Sequence, residues 1–121
     1  MSVRPANITF DCNDPQAVAR FWSTVLERPI DDETNPYFAS ISSGASSAPT
    51  FLFLAVSETK TAKNRCHIDF ESDDYPAEVD RLVALGATKQ ADKAEYGHVW
   101  TVFNDPEGNE FCVSGPHVTP G

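Results

Sequence analysis

The chain has 121 residues, 40% of them hydrophobic and 22% charged, the make-up of one globular domain large enough to bury its own core. Nine basic against eighteen acidic residues give a net charge of −9. That balance speaks against nucleic acid and anionic membranes as partners, since both reward clustered Lys and Arg, and it leaves room for a cationic ligand or for acidity that only maintains solubility. No apolar run approaches the roughly 20 residues of a membrane span, and the N-terminal residues lack the apolar stretch of a signal peptide. The three cysteines, Cys12, Cys66 and Cys112, read as reduced thiols rather than a disulfide frame, so a cytoplasmic protein is expected.

The first element is a strand over 7–12. Ile8, Phe10 and Cys12 alternate with Asn7, Thr9 and Asp11, the period of two that marks one apolar and one polar face. Asp14-Pro15 then starts a helix with an N-cap and a first-turn proline. Ala17, Val18, Phe21, Trp22 and Val25 form its apolar stripe, and it stops before Pro29. Three strands are expected next, near 29–32, 37–42 and 50–56, with a turn-rich connection over 44–49.

The pattern then repeats. Shifted by about 60 residues, Asn7-Ile8-Thr9-Phe10-Asp11-Cys12-Asn13-Asp14 falls on His67-Ile68-Asp69-Phe70-Glu71-Ser72-Asp73-Asp74, and one inserted residue aligns Val18 with Val79 and Arg20 with Arg81. Asp74-Tyr75-Pro76 repeats the helix start, Val79, Leu82 and Val83 form the stripe, and Gly86 is the expected C-terminal cap. Strands over 88–93, 98–104 and 110–114 follow, the last two joined by the turn-forming run Asn104–Asn109. The reading is one α+β domain over 1–121, built as two tandem βαβββ modules. Module one runs over about 5–57, a linker over 58–64, module two over about 65–115 and a tail over 116–121. Each helix covers the apolar face of its own strands, and the two sheets curl into a cupped mixed sheet with the helices outside.

This arrangement resembles the vicinal oxygen chelate superfamily (glyoxalase I, bleomycin-resistance proteins, fosfomycin-resistance enzymes and extradiol dioxygenases), and within it the bacterial glyoxalase-like domain proteins. The resemblance rests on Lys60-Thr61-Ala62-Lys63-Asn64-Arg65-Cys66-His67-Ile68-Asp69, Val83-Ala84-Leu85-Gly86-Ala87, Trp100-Thr101-Val102 and Asp105-Pro106-Glu107-Gly108-Asn109-Glu110-Phe111-Cys112-Val113. It implies a ligand or metal in the cupped sheet and a homodimer. Metal-using members place a ligand at the start of each module's first strand and carboxylates on the modules' last strands. Here those positions hold Asn7, His67, Cys112 and either Leu52 or Leu54. Leucine ligates nothing and Cys112, whose thiolate can bind zinc, has no CxxC neighbour, so at most two ligands remain from the four positions and no complete metal site is expected; His67 is the metal candidate that is left and a divalent metal cofactor is not expected.

His67 carries the remaining functional readings. It is either a histidine satisfied by Asp69 or Glu71, or a general acid or base lining the pocket, since imidazole transfers protons near neutrality. In the second case Glu71 and Glu110 would assist. Asn7, Thr9, Asp69, Trp100, Cys112 and Arg65 are the further ligand-binding candidates. Trp100 offers an aromatic wall if its face is the concave one. Arg65, with Lys60 and Lys63, offers an anion contact, or else the three are a solvated linker making ion pairs. His98 is placed at a surface or pocket mouth, and His117 in an exposed, mobile tail. The expected function is a glyoxalase-like small-molecule pocket protein of the lyase or isomerase type using His67. The alternatives are a non-catalytic, bleomycin-resistance-like binding dimer and a structural dimer whose cavity is filled.

Overall fold

The structure, a computed structural model, describes residues 3–44, 48–95 and 97–116; His117 and part of the 44–49 connection lie outside them. No helix among the described residues is long and apolar enough to cross a membrane. The chain divides into two compact units between Thr59 and Lys60, each an α+β unit with one sheet and one helix.

In the first unit, β1 (Asn7–Cys12) leads into α1 (Pro15–Leu26), followed by β2 (Phe38–Ile41) and β3 (Thr50–Ala55). The sheet order is β1-β3-β2, with β1 parallel and β2 antiparallel to β3. The helix begins where the sequence puts it. Asp14 caps it by accepting from the Ala17 amide at 3.2 Å, and Pro15 occupies the first turn, where its missing N–H costs nothing. Glu27 ends it in a left-handed conformation (φ 54°), two residues before Pro29. Val18, Ala19, Phe21 and Trp22 are buried. The Trp22 ring meets Phe10 and Phe51, and Phe10 stacks on Trp22 at 5.5 Å and on Phe53 at 5.4 Å. Cys12 is buried on the same face, as its alternation requires.

The expected strand near 29–32 does not form. One backbone bond, from the Asp31 amide to the Ser40 carbonyl (2.9 Å), joins this segment to β2. Pro29 has no N–H to pair, and Asp31 reaches the sheet through its side chain instead, accepting the Ser40 and Ser42 hydroxyls at 2.5 and 2.7 Å.

The second unit holds β4 (Ile68–Glu71), α2 (Tyr75–Leu85), β5 (Thr88–Glu95), β6 (His98–Asn104) and β7 (Glu110–Ser114). Its sheet order is β4-β7-β6-β5, with β4 and β7 parallel and the others antiparallel. Asp74 caps α2 through the Ala77 amide (3.3 Å), and Gly86 ends it at φ 111°, where a residue with a Cβ would be strained. Of the expected stripe only Leu82 is buried; Val83 is 49% exposed. Beneath the helix Phe111 stacks on Phe103 at 5.5 Å and meets Phe70 edge-on. The β6–β7 loop is held by Asp105, 3% exposed, whose carboxylate accepts the Glu107 and Asn109 amides, both at 2.9 Å.

Candidate functional site

The pairing of the second sheet decides what its other face presents. Asp69 lies opposite Cys112, Cys112 opposite Val102, and Ser114 opposite Trp100. Directly paired residues point the same way, so these side chains share the face turned away from Phe70, Phe103 and Phe111. A cavity of about 780 Å³ opens over that face, its wall including His67, Asp69, Trp100, Val102, Glu110 and Cys112. The volume is in the range of small-molecule sites. Trp100 is therefore on the cavity side, and His98 also reaches the wall.

His67, one residue before β4, places Nδ1 2.8 Å from Asp69 Oδ1. With the Nδ1 proton donated to that carboxylate, Nε2 is left as the ring's acceptor. Cys112 Sγ lies 4.0 Å from the same Nδ1, and the ligand atoms of all three residues fall within 4.8 Å of one another. The His67 and Asp69 side chains remain 44% and 69% exposed, so ligand and water both reach them. Cys112 is 8% exposed. Burial first, then the charge of Asp69 and its hydrogen bond, push the Cys112 thiol up to about 11. It is protonated at neutral pH and is no free nucleophile.

Glu110, expected to assist catalysis, is engaged by residues 60–64. Its side chain is 4% exposed and accepts Lys63 Nζ at 2.6 Å, with Lys60 Nζ at 3.7 Å and the Asn64 amide at 3.0 Å. The Lys63 hydrogen bond, followed by that amide, holds its carboxyl below the ordinary range despite burial. An ionised, fully engaged carboxylate is a poor proton donor; Glu110 instead pins residues 60–64 to β7. Of the basic cluster, Lys60 and Lys63 make ion pairs with Glu110, and Lys63 also reaches the cavity wall. Arg65 and Glu71 are exposed and stand outside the cavity wall among the described residues. Asn7 and Thr9 are exposed on β1 of the first unit. Cys66 is exposed next to His67.

Sequence reading missed the polar strut behind the cavity. Thr101, 1% exposed, donates to Asp92 Oδ1 at 2.9 Å. Its one proton thus spent, it accepts from the Tyr75 hydroxyl at 2.5 Å, which ties the start of α2 to the β5–β6 hairpin. A threonine set between Trp100 and Val102 on β6 is the sequence signal for it.

The fold and this cavity define a tandem-module protein of the vicinal oxygen chelate class. The chain belongs to the glyoxalase-like domain family, whose model matches residues 7–114. No curated protein matches the sequence. Among solved structures, a glyoxalase/bleomycin resistance/dioxygenase family enzyme from Burkholderia phytofirmans is similar at 21% identity and TM-score 0.72, over 91% of this chain and 96% of that one. A lactoylglutathione lyase from Agrobacterium tumefaciens matches at 16% identity and TM-score 0.65, over 95% and 94%. The fosfomycin resistance protein FosX from Listeria monocytogenes, crystallised with manganese(II) and a dihydroxypropylphosphonic acid, matches at 12% identity and TM-score 0.75, over 94% and 90%. At these identities the likeness is one of fold.

A hard cation such as manganese prefers oxygen and imidazole ligands. The residues here do not fit one. Glu110 is committed to two lysines, Cys112 offers sulfur, and the pairing of Thr9 with Leu52 makes Leu52, not Leu54, the first-module counterpart of Cys112.

Proposed function

We propose that the chain is a glyoxalase-like enzyme of the lyase or isomerase type, moving a proton beside a carbonyl or hydroxyl group of a small molecule bound in the second module's cavity. One observation carries this reading: His67 stands in the cavity wall with Nδ1 held at 2.8 Å by Asp69. A carboxylate on one ring nitrogen fixes the tautomer and orientation and stabilises the imidazolium formed when the other nitrogen takes a proton. His67 is the acid or base, Asp69 its positioning residue, and Trp100 and Val102 the apolar wall that orients the ligand. Glu110 has no part in the proton transfer.

The test uses metal-free protein and a panel of small hydroxy and keto compounds in deuterated water. Proton NMR follows exchange at the carbon beside the carbonyl. Exchange on at least one compound is expected, lost in His67→Ala and retained in Arg65→Ala. Exchange undiminished in a folded His67→Ala variant refutes the role. Trp100 on the cavity face favours a second reading, a binding protein without chemistry. Calorimetric binding of an aromatic cation, abolished by Trp100→Ala, with no exchange on any compound, would establish that reading instead.

A further inference from the structure

The register of the second sheet also orders the charges along the cavity. Lys93 on β5 lies opposite Trp100 on β6, and Trp100 opposite Ser114 on β7. All three reach the cavity wall and form one row across the sheet. The neighbouring row holds Val102, Cys112 and Asp69, and Asp69 holds His67 at 2.8 Å. Charges at the His67 end are answered: Asp69 by His67, Glu110 by Lys60 and Lys63. On β5, Lys89 is answered by Asp92 at 2.6 Å. Lys93 makes no ion pair or hydrogen bond among the described residues, although it stands beside the half-buried Trp100 ring.

From this juxtaposition we propose that the cavity takes a planar carboxylic acid, its carboxylate at Lys93, its ring on Trp100 and its reacting carbon at His67. The last placement rests on the acid–base role of His67; the charge and the ring do not. A cationic ring on Trp100 would meet the Lys93 ammonium directly across the strand pair, where like charges repel. Glu95 also reaches the wall, but it lies opposite His98, two residues nearer the hairpin tip than the Lys93–Trp100 row. The net charge of −9 acts at longer range and is screened beyond roughly 8 Å in physiological salt, so the contact at Lys93 decides.

The sheet also sets the length of the ligand. Asp69 and Lys93 stand on the edge strands of the order β4-β7-β6-β5, three strand spacings of about 4.8 Å apart. The lysine stem leans inward from that edge, which leaves the ammonium and the His67 ring on the order of 10 Å apart. A small keto acid, with its carboxylate bonded to the reacting carbonyl, cannot touch both. A ring between the two groups bridges them, and Trp100 supplies the face on which it lies.

The probe is para-acetylphenylpropionate, with its uncharged amide and para-acetylphenylpropylamine as charge variants of the same shape. Titration calorimetry of the full, metal-free chain should show the acid binding about fivefold or more tighter than the amide, with the amine weakest. Lys93→Met keeps the stem and removes the charge; it should bring the acid to the level of the amide and leave the amide unchanged. Lys93→Arg should keep the preference, and Trp100→Leu should weaken acid and amide alike. An acid-to-amide ratio under about twofold, a ratio that survives in Lys93→Met, tightest binding of the amine, or no binding of any of the three overturns the inference. Proton exchange at the acetyl methyl, followed by NMR in deuterated water, reads His67 separately. His67 Nε2 takes a methyl proton, the C–H electron pair moves toward the carbonyl oxygen, and a deuteron from solvent returns to carbon. Acid bound through Lys93 without accelerated exchange would remove the acid–base role and leave the charge assignment standing. Accelerated exchange that is indifferent to Lys93→Met would leave that role and remove this inference.

Discussion

The Asp31 cluster in the first module gives the sharpest stability test. Asp31→Ala removes the acceptor for the Ser40 and Ser42 hydroxyls, held at 2.5 and 2.7 Å. Ser42 is exposed and turns to water at little cost. Ser40 is 8% exposed, and its hydroxyl is left without that partner. Stranding a buried hydroxyl costs about 1–3 kcal/mol, and hydrogen bonds to a charged acceptor are worth about 1.5–3 kcal/mol. A loss of about 2 kcal/mol follows, or about 6–10 °C in Tm for a chain of this size. Ser40→Ala in the same background should add little, because the stranded group is then gone; a coupling of about 1–2 kcal/mol is expected from the double-mutant cycle. The pH dependence has a definite sign. The Ser40 hydroxyl, chiefly, holds the Asp31 carboxyl below its ordinary 3.8, with burial opposing and Ser42 adding to the lowering. The folded-state pKa is depressed, so the contribution is complete above the unfolded value and is lost as pH falls through the lower folded one. Urea unfolding followed by circular dichroism should show a constant gap between parent and Asp31→Ala from about pH 8 to pH 5, closing below about pH 4. A gap under about 0.5 kcal/mol at pH 7, or one undiminished at about pH 3, refutes the reasoning.

Two further outcomes follow from the second module. Thr101→Val, nearly isosteric, strands the Tyr75 hydroxyl and breaks the link to Asp92; it should cost about 1–3 kcal/mol in urea unfolding, and Tyr75→Phe combined with it should cost clearly less than the sum. Thiol labelling of metal-free protein at about pH 8 should give one fast equivalent, at the exposed Cys66. Cys12 is screened by burial, and at a pKa of about 11 only about one in a thousand Cys112 thiols is ionised at that pH; labelling of Cys112 as fast as Cys66 would contradict its placement.

The local signals were the ones the sequence carried in full. Asp14-Pro15 and Asp74-Tyr75-Pro76 start helices because a cap and a proline act on neighbouring residues, and the alternation of Ile8, Phe10 and Cys12 needs only a strand to become a buried face. Legibility failed where a partner lies far along the chain. The 29–32 segment holds one strand-forming residue, Ile30, beside Pro29 and two aspartates, and Asp31 finds its side-chain hydrogen bonds in Ser40 and Ser42. Glu110 looked like a catalytic carboxylate because nothing local reveals Lys63, 47 residues away, at 2.6 Å. Val83 sits at helical spacing with Val79, but with one residue buried on α2 the stripe is narrower than the pattern implies. His67 and Asp69 were legible as neighbours two apart on a strand face; that Cys112 stands beside them required the β4–β7 register.

That register also argues for where the chemistry can be. A repeat of one supersecondary unit gives each module the same strand face and the same three positions on it. The helix-facing positions stayed apolar in both copies, Ile8 and Phe10 against Ile68 and Phe70, because each unit must fill its own core. The opposite face is under no such constraint, and there the copies differ in kind: Asn7, Thr9 and Leu52 offer an amide, a hydroxyl and a hydrocarbon, whereas His67, Asp69 and Cys112 offer an imidazole, a carboxylate and a thiol. Replacing the second set by the first, His67→Asn with Asp69→Thr and Cys112→Leu, uses residues that this chain already accommodates at equivalent strand positions. The fold should therefore survive while the proposed proton exchange is lost. A triple variant that retained the exchange would place the functional groups elsewhere.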